Sequence, residues 1–340
     1  MFDHFLPNKD CFCYNLGTMS QKKTLLSGVK PTGRPHIGNY FGAMRQFVEL
    51  QDKNESYIFI ADLHALTSVQ NKKELSQNIL DVALDYLAIG LDPKKVTLFK
   101  QSDIPEVAEL GWIFNCITTV PYLMRAHAFK DAEARNKEIN VGVFDYPMLM
   151  AADILIQNAD LVPVGADQKQ HIEITRDTAE KFNRIFGETF IIPEPLIFKD
   201  DGIIPGIDGQ KMSKSYNNTI PLFSTDEEIK KLVMSIVTDS SGGIPKNVYN
   251  IHARVSKGLG RDLIELNKFY EDNLGKYKIC KDKLIEDLIT FIKPLRERRE
   301  ALAKNPTEVL KILKAGGEKA RAKVSKKMEE VREKIGVKLY

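Results

Sequence analysis

The sequence predicts an α/β fold with a mostly parallel sheet, followed by a smaller all-helical C-terminal domain. Short apolar runs alternate with amphipathic segments over the first two thirds of the chain, which is the pattern of strands connected by helices. A loop rich in proline and glycine (KPTGRPHIGN) follows the first apolar run, and loops at the carboxyl ends of parallel strands bind ligands. Beyond about residue 226 only charged, amphipathic segments remain.

Short apolar runs bounded by glycine, serine or proline predict buried strands. They place strands at 23–28, 57–61, 96–99 and 160–164. Helical periodicity places helices at 41–51, 75–87, 110–117, 148–156 and 172–186, and in the C-terminal part at 226–237, 261–272, 279–304 and 306–335. The apolar helix 110–117, with Trp112, fits either the core or a subunit interface, and we expect the core.

Composition excludes several classes of protein. The chain has 340 residues, 43% hydrophobic and 28% charged, which suits one large and one small globular domain. No apolar run approaches the length of a transmembrane helix, and the first 20 residues lack the basic start and apolar centre of a secretory signal. The four cysteines form no C-x-x-C pair, which argues against a metal site or disulfide framework and favours the cytoplasm.

Changes in pattern along the chain predict the domain boundaries. Residues 1–20 are an N-terminal extension that is disordered or precedes a start at Met19, 21–215 form the sheet domain, and 216–305 form the helical domain. The C-terminal helix, about 306–340, is free to pack back on the sheet domain. The basic excess of the C-terminal part suits either a polyanionic partner or a solvated helical surface.

Residues 35–39 (PHIGN) lie between the first strand and a helix. Gly38 lets a ligand approach the backbone because it has no Cβ, and His36 can donate hydrogen bonds to phosphate oxygens. The start of the following helix offers unpaired N–H groups to an anion. Taken alone, this segment also fits a turn with a capping asparagine.

A second motif, residues 211–215 (KMSKS), follows a glycine-rich stretch. Lys211 and Lys214, with the serines between and beside them, form a cationic loop that suits the negative charge of a triphosphate cleaved at its α-phosphate. An exposed basic loop without function is the alternative.

In this order, the two motifs resemble the signature sequences of class I aminoacyl-tRNA synthetases. PHIGN is similar to the HIGH-type motif, with Asn39 at the place of the final histidine, and KMSKS matches the second signature letter for letter. The resemblance implies a Rossmann-like nucleotide-binding domain that uses ATP, and a helical domain at 216–305 that recognises the tRNA anticodon.

The segment 145–155 (DYPMLMAADIL) predicts which amino acid is bound. Met150 and Asp153 lie three residues apart, on one face of a helix. An indole N–H is only a donor, so its recognition requires an acceptor in an apolar, aromatic pocket. Asp153, beside Met150 and Tyr146, offers that acceptor. A structural cap or ion pair is the other interpretation of Asp153.

Residues 148–171 resemble the tryptophanyl branch of the family, which carries MAADIL and VPVGEDQKQH. The tyrosyl branch carries Gln-x-x-Asp on this helix and GSDQWGN in this loop, whereas Met150 and the sequence QKQH at 168–171 stand here. The resemblance therefore implies a tryptophan–tRNA ligase. Tyrosyl-tRNA synthetase, a small-molecule adenylyltransferase and a non-catalytic nucleic-acid-binding paralogue are the alternatives.

The resemblance also implies roles for individual positions of this chain. The catalytic groups would be His36, Lys130, Lys211 and Lys214. ATP would contact Lys30, Pro31, Thr32, Gly38, Asn39, Gly165, Ala166, Asp167, Ile203, Lys211, Met212, Ser213, Lys214 and Ser215. Tryptophan would contact Asp153, Met150, Tyr146, Gln168, His64, Val162 and Val164. Mg²⁺ would enter with ATP, held mainly by phosphates and water, and no protein metal site is expected.

The sequence departs from the family pattern at three places. Lys30 stands where glutamine is usual, Ala166 replaces an acidic residue, and residues 126–128 (AHA) replace MTQ before the segment that contains Lys130. The first departure places a cation beside the ATP loop, and the third weakens the assignment of Lys130 to the phosphates.

The implied reaction has two steps. The tryptophan carboxylate attacks the α-phosphate of ATP and pyrophosphate leaves, and the acyl group then passes to the terminal ribose of tRNA. Since the substrate supplies the nucleophile, catalysis rests on positioning and charge. The family resemblance implies a homodimer, and Arg296, Arg298 and Arg299 are expected to contact tRNA.

Overall fold

The computed structural model describes residues 22–134, 139–165, 168–197, 204–238 and 242–340. They belong to two compact units, one containing Gly202–Arg296 and the other Lys23–Asp201 with Glu297–Tyr340. The predicted domain boundaries lie instead after residues 215 and 305, so the functional division into domains stays a prediction. The expected extension at 1–20 lies outside the described residues.

The larger unit is built on a five-stranded parallel sheet. Its strands are β1 (Thr24–Val29), β2 (Glu55–Ile60), β3 (Val96–Lys100), β4 (Leu161–Val164) and β5 (Glu194–Ile197), in the spatial order β3-β2-β1-β4-β5. This confirms the predicted α/β class with a parallel sheet. The sequence missed β5, because it contains Pro195 and is only partly buried, as edge strands are.

Helices cover the sheet, as parallel strands require. They are α1 (Ile37–Asn39), α2 (Arg45–Leu50), α3 (Asp62–Ala65), α4 (Lys72–Ala88), α5 (Glu106–Ile117), α6 (Val120–Leu123), α7 (His127–Ala134), α8 (Val141–Ile156), α9 (Lys169–Phe186) and α14 (Pro306–Lys334), with a π-helical turn at Tyr40–Met44. No helix in the described part of the chain combines the length and apolar character needed to cross a membrane.

The core lies between α5, α8, α9 and the sheet. Leu110 and Phe114 of α5 are fully buried there, but Trp112 is 70% exposed. The helix belongs to the core, as expected, but its Trp112 does not. Two residues correspond to roughly half a turn of helix, so a side chain midway between two buried ones points to the opposite face.

Helix α14 covers the edge strand β3. Its Gly316 lies directly over the strand, where a Cβ would come 1.9 Å from the carbonyl oxygen of Leu98. Arg332 and Arg321 of the same helix donate to Glu109 and Glu106 of α5. The C-terminal helix thus packs on the sheet unit and closes an edge that would otherwise be open to pairing.

We expect Gly316→Ala to lower the free energy of unfolding by about 2 kcal/mol, because helix and strand must separate to admit the methyl group. Gly111→Ala on α5 is the control, since its Cβ would lie 3.8 Å from Leu149, in ordinary contact. Urea denaturation followed by circular dichroism measures both variants. Equal midpoints for the two would contradict the close approach of α14 to β3.

The smaller unit is helical, which confirms the predicted helical C-terminal region. Its helices are α10 (Asp226–Met234), α11 (Lys246–Gly258), α12 (Leu263–Asp272) and the greater part of α13 (Tyr277–Ala303). In its core, His252 contacts the Tyr270 hydroxyl at 3.0 Å and a carboxylate oxygen of Asp287 at 2.8 Å. The sequence did not predict α11.

Candidate active site

The first signature loop connects β1 to α1 and is held by a reciprocal cap. The Asn39 N–H donates to Nδ1 of the buried His36 (3.3 Å), and the His36 N–H donates to Oδ1 of Asn39 (3.1 Å). Because Nδ1 accepts, we assign the imidazole proton to Nε2. Gly33 adopts φ +90°, a backbone conformation that glycine tolerates without strain.

Lys30 begins this loop at the end of β1. Its Nζ donates to Oγ1 of Thr67 (2.8 Å), which donates to the carbonyl oxygen of His64 (2.8 Å). Partial burial lowers the pKa of Lys30. Pro31 is buried, whereas Thr32 is exposed. The lysine that departs from the family pattern is therefore tied to the segment that carries His64.

Asp153 lies on α8 and is buried, with 5% of its surface exposed. Nε2 of Gln101 donates to its Oδ2 at 2.7 Å and lies 2.9 Å from Nδ1 of His64. Oε1 of Gln101 in turn accepts from the backbone N–H groups of Leu63 and His64. This amide therefore connects the predicted indole acceptor to the predicted wall residue His64.

Gln101 is a residue that sequence reasoning missed. It directly follows β3, at the carboxyl edge of the sheet where ligand-contacting side chains gather. That position is the signal that could have identified it.

Burial controls the charge of this cluster. It raises the pKa of Asp153 well above the usual range of an aspartate, against the opposing hydrogen bond from Gln101. It lowers the pKa of His64 to about 4. His64 Nδ1 and Asp153 Oδ2 are 3.9 Å apart, but with a neutral imidazole they do not form an ion pair at neutral pH. The cluster thus offers hydrogen-bonding groups in a poorly solvated environment.

Aromatic and apolar groups surround Asp153. The Tyr146 hydroxyl lies 3.1 Å from Nε2 of His171, and the Tyr146 ring is 6.0 Å from the His64 ring. A small cavity beside the carboxyl is lined by Leu26, Phe59, Phe99, Gln101, Ile104, Val107, Asp153 and Gln157. Met150 is half-buried one turn before Asp153. Asp153 is therefore a hydrogen-bond acceptor in apolar surroundings.

The remaining predicted residues of the sheet unit are more dispersed. Val162 and Val164 lie on β4, with Val162 buried and Val164 half-buried. Gln168 is exposed and caps α9, while Gly38 is half-buried and Gly165 exposed. Lys130 is exposed on α7. Ala166, Asp167 and Ile203 lie outside the described residues.

The second signature belongs to the smaller unit. Lys211, Lys214 and Ser215 are exposed, Ser213 is half-buried and Met212 is buried. The Ser213 and Ser215 hydroxyls are 2.9 Å apart, and a 3₁₀ turn spans Lys214–Tyr216. The buried methionine anchors the loop and leaves its lysines in solvent. Within the described ranges, no group of three or more His, Cys, Asp or Glu residues could hold a metal ion.

Three arginines that the sequence analysis expects to contact tRNA bind protein groups in the structure, and their contact with tRNA stays a prediction. Arg296 donates to the carbonyl of Ser224 and to Asp226, and Arg298 donates to the carbonyl of Ala88. Arg299 contacts Asp85 and Asp81 of α4, with 23% of its side chain exposed. These guanidinium groups hold helices together.

Comparison with known proteins identifies the family of this chain. A family model described as tRNA synthetases class I (W and Y) matches residues 19–291, and the chain belongs to that family. A tryptophan–tRNA ligase of Fusobacterium nucleatum subsp. nucleatum is 48% identical over 321 residues, which covers 93% of this chain and 98% of the relative. A tryptophan–tRNA ligase of Rhodopirellula baltica is 44% identical, and the match covers 92% of this chain and 99% of the relative.

A solved structure gives the same result. The crystal structure of tryptophanyl-tRNA synthetase from Campylobacter jejuni complexed with ADP and tryptophan has a TM-score of 0.82 at 40% identity, covering 92% of this chain and 99% of that chain. Within the family, the chain is therefore a bacterial-type member of the tryptophan–tRNA ligases. The resemblance predicted from PHIGN, KMSKS and the Asp153 segment is confirmed.

Proposed function

We propose that this chain activates tryptophan with ATP and transfers it to the tRNA for tryptophan. In the first step a carboxylate oxygen of tryptophan attacks the α-phosphorus in line, and the bond to pyrophosphate breaks. In the second, a ribose hydroxyl of the tRNA terminus attacks the carbonyl carbon and AMP leaves. The observation that carries the proposal is the buried Asp153, whose carboxyl accepts from Gln101 in apolar surroundings.

Tryptophan selection follows from that carboxyl. The indole N–H donates to Asp153, and the ring packs among Met150, His64, Val162 and Val164. Tyr146 and Gln168 bind the amino-acid end. Amino acids without the N–H leave the buried acceptor unpaired, which costs about 1–3 kcal/mol or more. The apolar environment strengthens this discrimination, because no water replaces the missing donor.

ATP binding uses both signatures. The loop of Lys30, Pro31, Thr32, Gly38 and Asn39 holds the nucleotide with Gly165, Ala166, Asp167 and Ile203, and the second loop contributes Lys211, Met212, Ser213, Lys214 and Ser215. His36, Lys130, Lys211 and Lys214 stabilise charge on the phosphates as the α-phosphorus is attacked. Mg²⁺ enters as part of the ATP substrate. The exposure of both loop lysines supports this role.

Exchange of labelled pyrophosphate into ATP, with each amino acid offered separately, tests the proposal. We expect exchange with tryptophan alone. Exchange with tyrosine would favour the tyrosyl alternative, and no exchange would favour a non-catalytic paralogue. Esterification of tRNA in a following assay separates a ligase from a small-molecule adenylyltransferase, which would form its product without tRNA.

A homodimer in the cytoplasm is part of the proposal. Trp112 is 70% exposed and Leu66 46%, and both line a cavity of about 370 Å³ between α3, α5 and α8. Large apolar side chains grouped around a concavity are typical of a protein interface. A second copy of the chain that covers this surface would remove the exposed tryptophan from water.

We therefore expect Trp112→Glu to convert the dimer to monomers in analytical ultracentrifugation, because the carboxylate would lie in an apolar interface. Ile185→Glu on α9 is the matched control, since Ile185 is 49% exposed in the same unit and should leave the dimer intact. A monomeric wild-type chain, or a dimeric Trp112 variant, would contradict the assignment of this surface.

A further inference from the structure

We propose that Asn218 is a positioning residue that holds the backbone of the KMSKS segment, an inference that rests on the proposed function. Asn218 lies three residues beyond the motif and is 1% exposed. Its Oδ1 accepts from the Ser213 N–H at 2.8 Å. Its Nδ2 donates to Oδ1 of Asp208 at 2.8 Å and to the Lys211 carbonyl at 3.1 Å. One amide thus contacts the motif and the turn before it.

Backbone hydrogen bonds connect Asn218 and the KMSKS segment to residues 204–207. The Ile207 N–H donates to the Asn218 carbonyl at 2.9 Å, and the Met212 N–H donates to the Ile204 carbonyl at 3.0 Å. Pro205 and Lys211 form a β-bridge. A Cβ on Gly206 would lie 2.4 Å from the Asn218 side chain, so that side chain packs directly against the Gly206 backbone.

This arrangement matters because the lysines themselves are exposed. A lysine side chain is flexible, so the position of its ammonium depends on where the backbone places its Cα. The amide of Asn218 holds the carbonyl of Lys211 and the N–H of Ser213, the residue before Lys214. Electrostatic catalysis depends on charges already in position when the transition state forms, and a displacement of about 1 Å can cost about 100-fold in rate.

Asn218→Ala tests the proposal, because it removes the side chain that pairs with the Ser213 N–H and the Lys211 carbonyl, while Asp208 keeps its hydrogen bond from the Gln210 N–H. We expect kcat for tryptophan-dependent pyrophosphate exchange to fall about 100-fold, with KM for tryptophan within about twofold of wild type, since the tryptophan contacts lie in the other unit. The control is Asn217→Gly. Asn217 is exposed with φ +52°, a conformation that glycine adopts easily, so wild-type kcat is expected.

A double variant that exchanges the side chains of positions 208 and 218 tests whether the lost kcat can be recovered. Asn218→Asp retains the acceptor for Ser213, loses both donors, and sets a carboxylate against Asp208. Adding Asp208→Asn restores a hydrogen bond between positions 208 and 218 with donor and acceptor reversed, and removes the repulsion. We expect kcat of the double variant to be about tenfold higher than kcat of Asn218→Asp. Asp208→Asn alone is expected to have a kcat near that of the wild type.

The outcomes separate this inference from the proposed function. If the wild-type chain shows no tryptophan-dependent exchange, the proposed function fails. If the wild type is active and Asn218→Ala matches Asn217→Gly, the positioning role fails alone. The Tm of each variant is measured by circular dichroism. A lower kcat together with a higher KM for both substrates, a lower Tm and no recovery in the double variant would show that Asn218 only supports folding. That result would overturn the proposal.

Discussion

Asp153→Ala is expected to lower kcat/KM for tryptophan by about 10³-fold or more, while KM for ATP changes little. The variant removes the acceptor of the indole N–H and one of the two partners of Gln101 Nε2 in a buried site, leaving that group its contact with Nδ1 of His64. Sites built around a buried hydrogen bond to the substrate discriminate by about 10⁴–10⁵. Because the carboxyl is buried, water has little access to replace it, and the same burial raises its pKa.

Steady-state exchange kinetics measure this effect best with a tryptophan analogue that carries sulfur in place of the indole nitrogen. The analogue has no N–H, so its kcat/KM should be low in wild type and almost unchanged in Asp153→Ala. Asp153→Asn keeps an acceptor oxygen, so its kcat/KM for tryptophan should lie between the values for the wild type and Asp153→Ala. Asp282→Ala, an exposed aspartate on α13, is the control. An equal loss for tryptophan and the analogue would indicate structural damage rather than loss of indole recognition.

Lys214→Ala is expected to slow pyrophosphate exchange by about 10²–10³-fold and to leave the Kd for tryptophan nearly unchanged. Lys214 is an exposed residue, and a surface charge contributes little to folding free energy. The loss should appear in kcat, because the charge acts on the phosphates as they depart rather than on bound tryptophan.

Exchange kinetics and calorimetric titration with tryptophan together test this role. Lys230→Ala, an exposed lysine of α10, is the control for charge. Lys214→Arg should retain part of the rate, because it keeps the charge in a different geometry. Exchange at the wild-type rate in Lys214→Ala would remove Lys214 from the transition state.

Much of the fold could be predicted because apolar runs report burial directly. β1, β2 and β3 were found from their apolar runs, since a parallel strand covered on both faces is apolar throughout. The edge strand β5 was missed because Pro195 and partial exposure interrupt that signal. Trp112 was misplaced because hydrophobicity alone does not tell which face of α5 meets the core and which is exposed.

The sequence by itself determined the chemistry of this protein. PHIGN, KMSKS and the segment of Asp153 identify the reaction and the amino acid, because each is a run of neighbouring residues that can be recognised without the fold. The tertiary structure decided how those groups are held. Gln101 reaches Asp153 across 52 positions, Arg299 contacts α4 more than 200 residues away, and Asn218 supports the lysine loop from beyond the motif. Such partners are chosen by packing and by the need to pair every buried polar group, which no local pattern records.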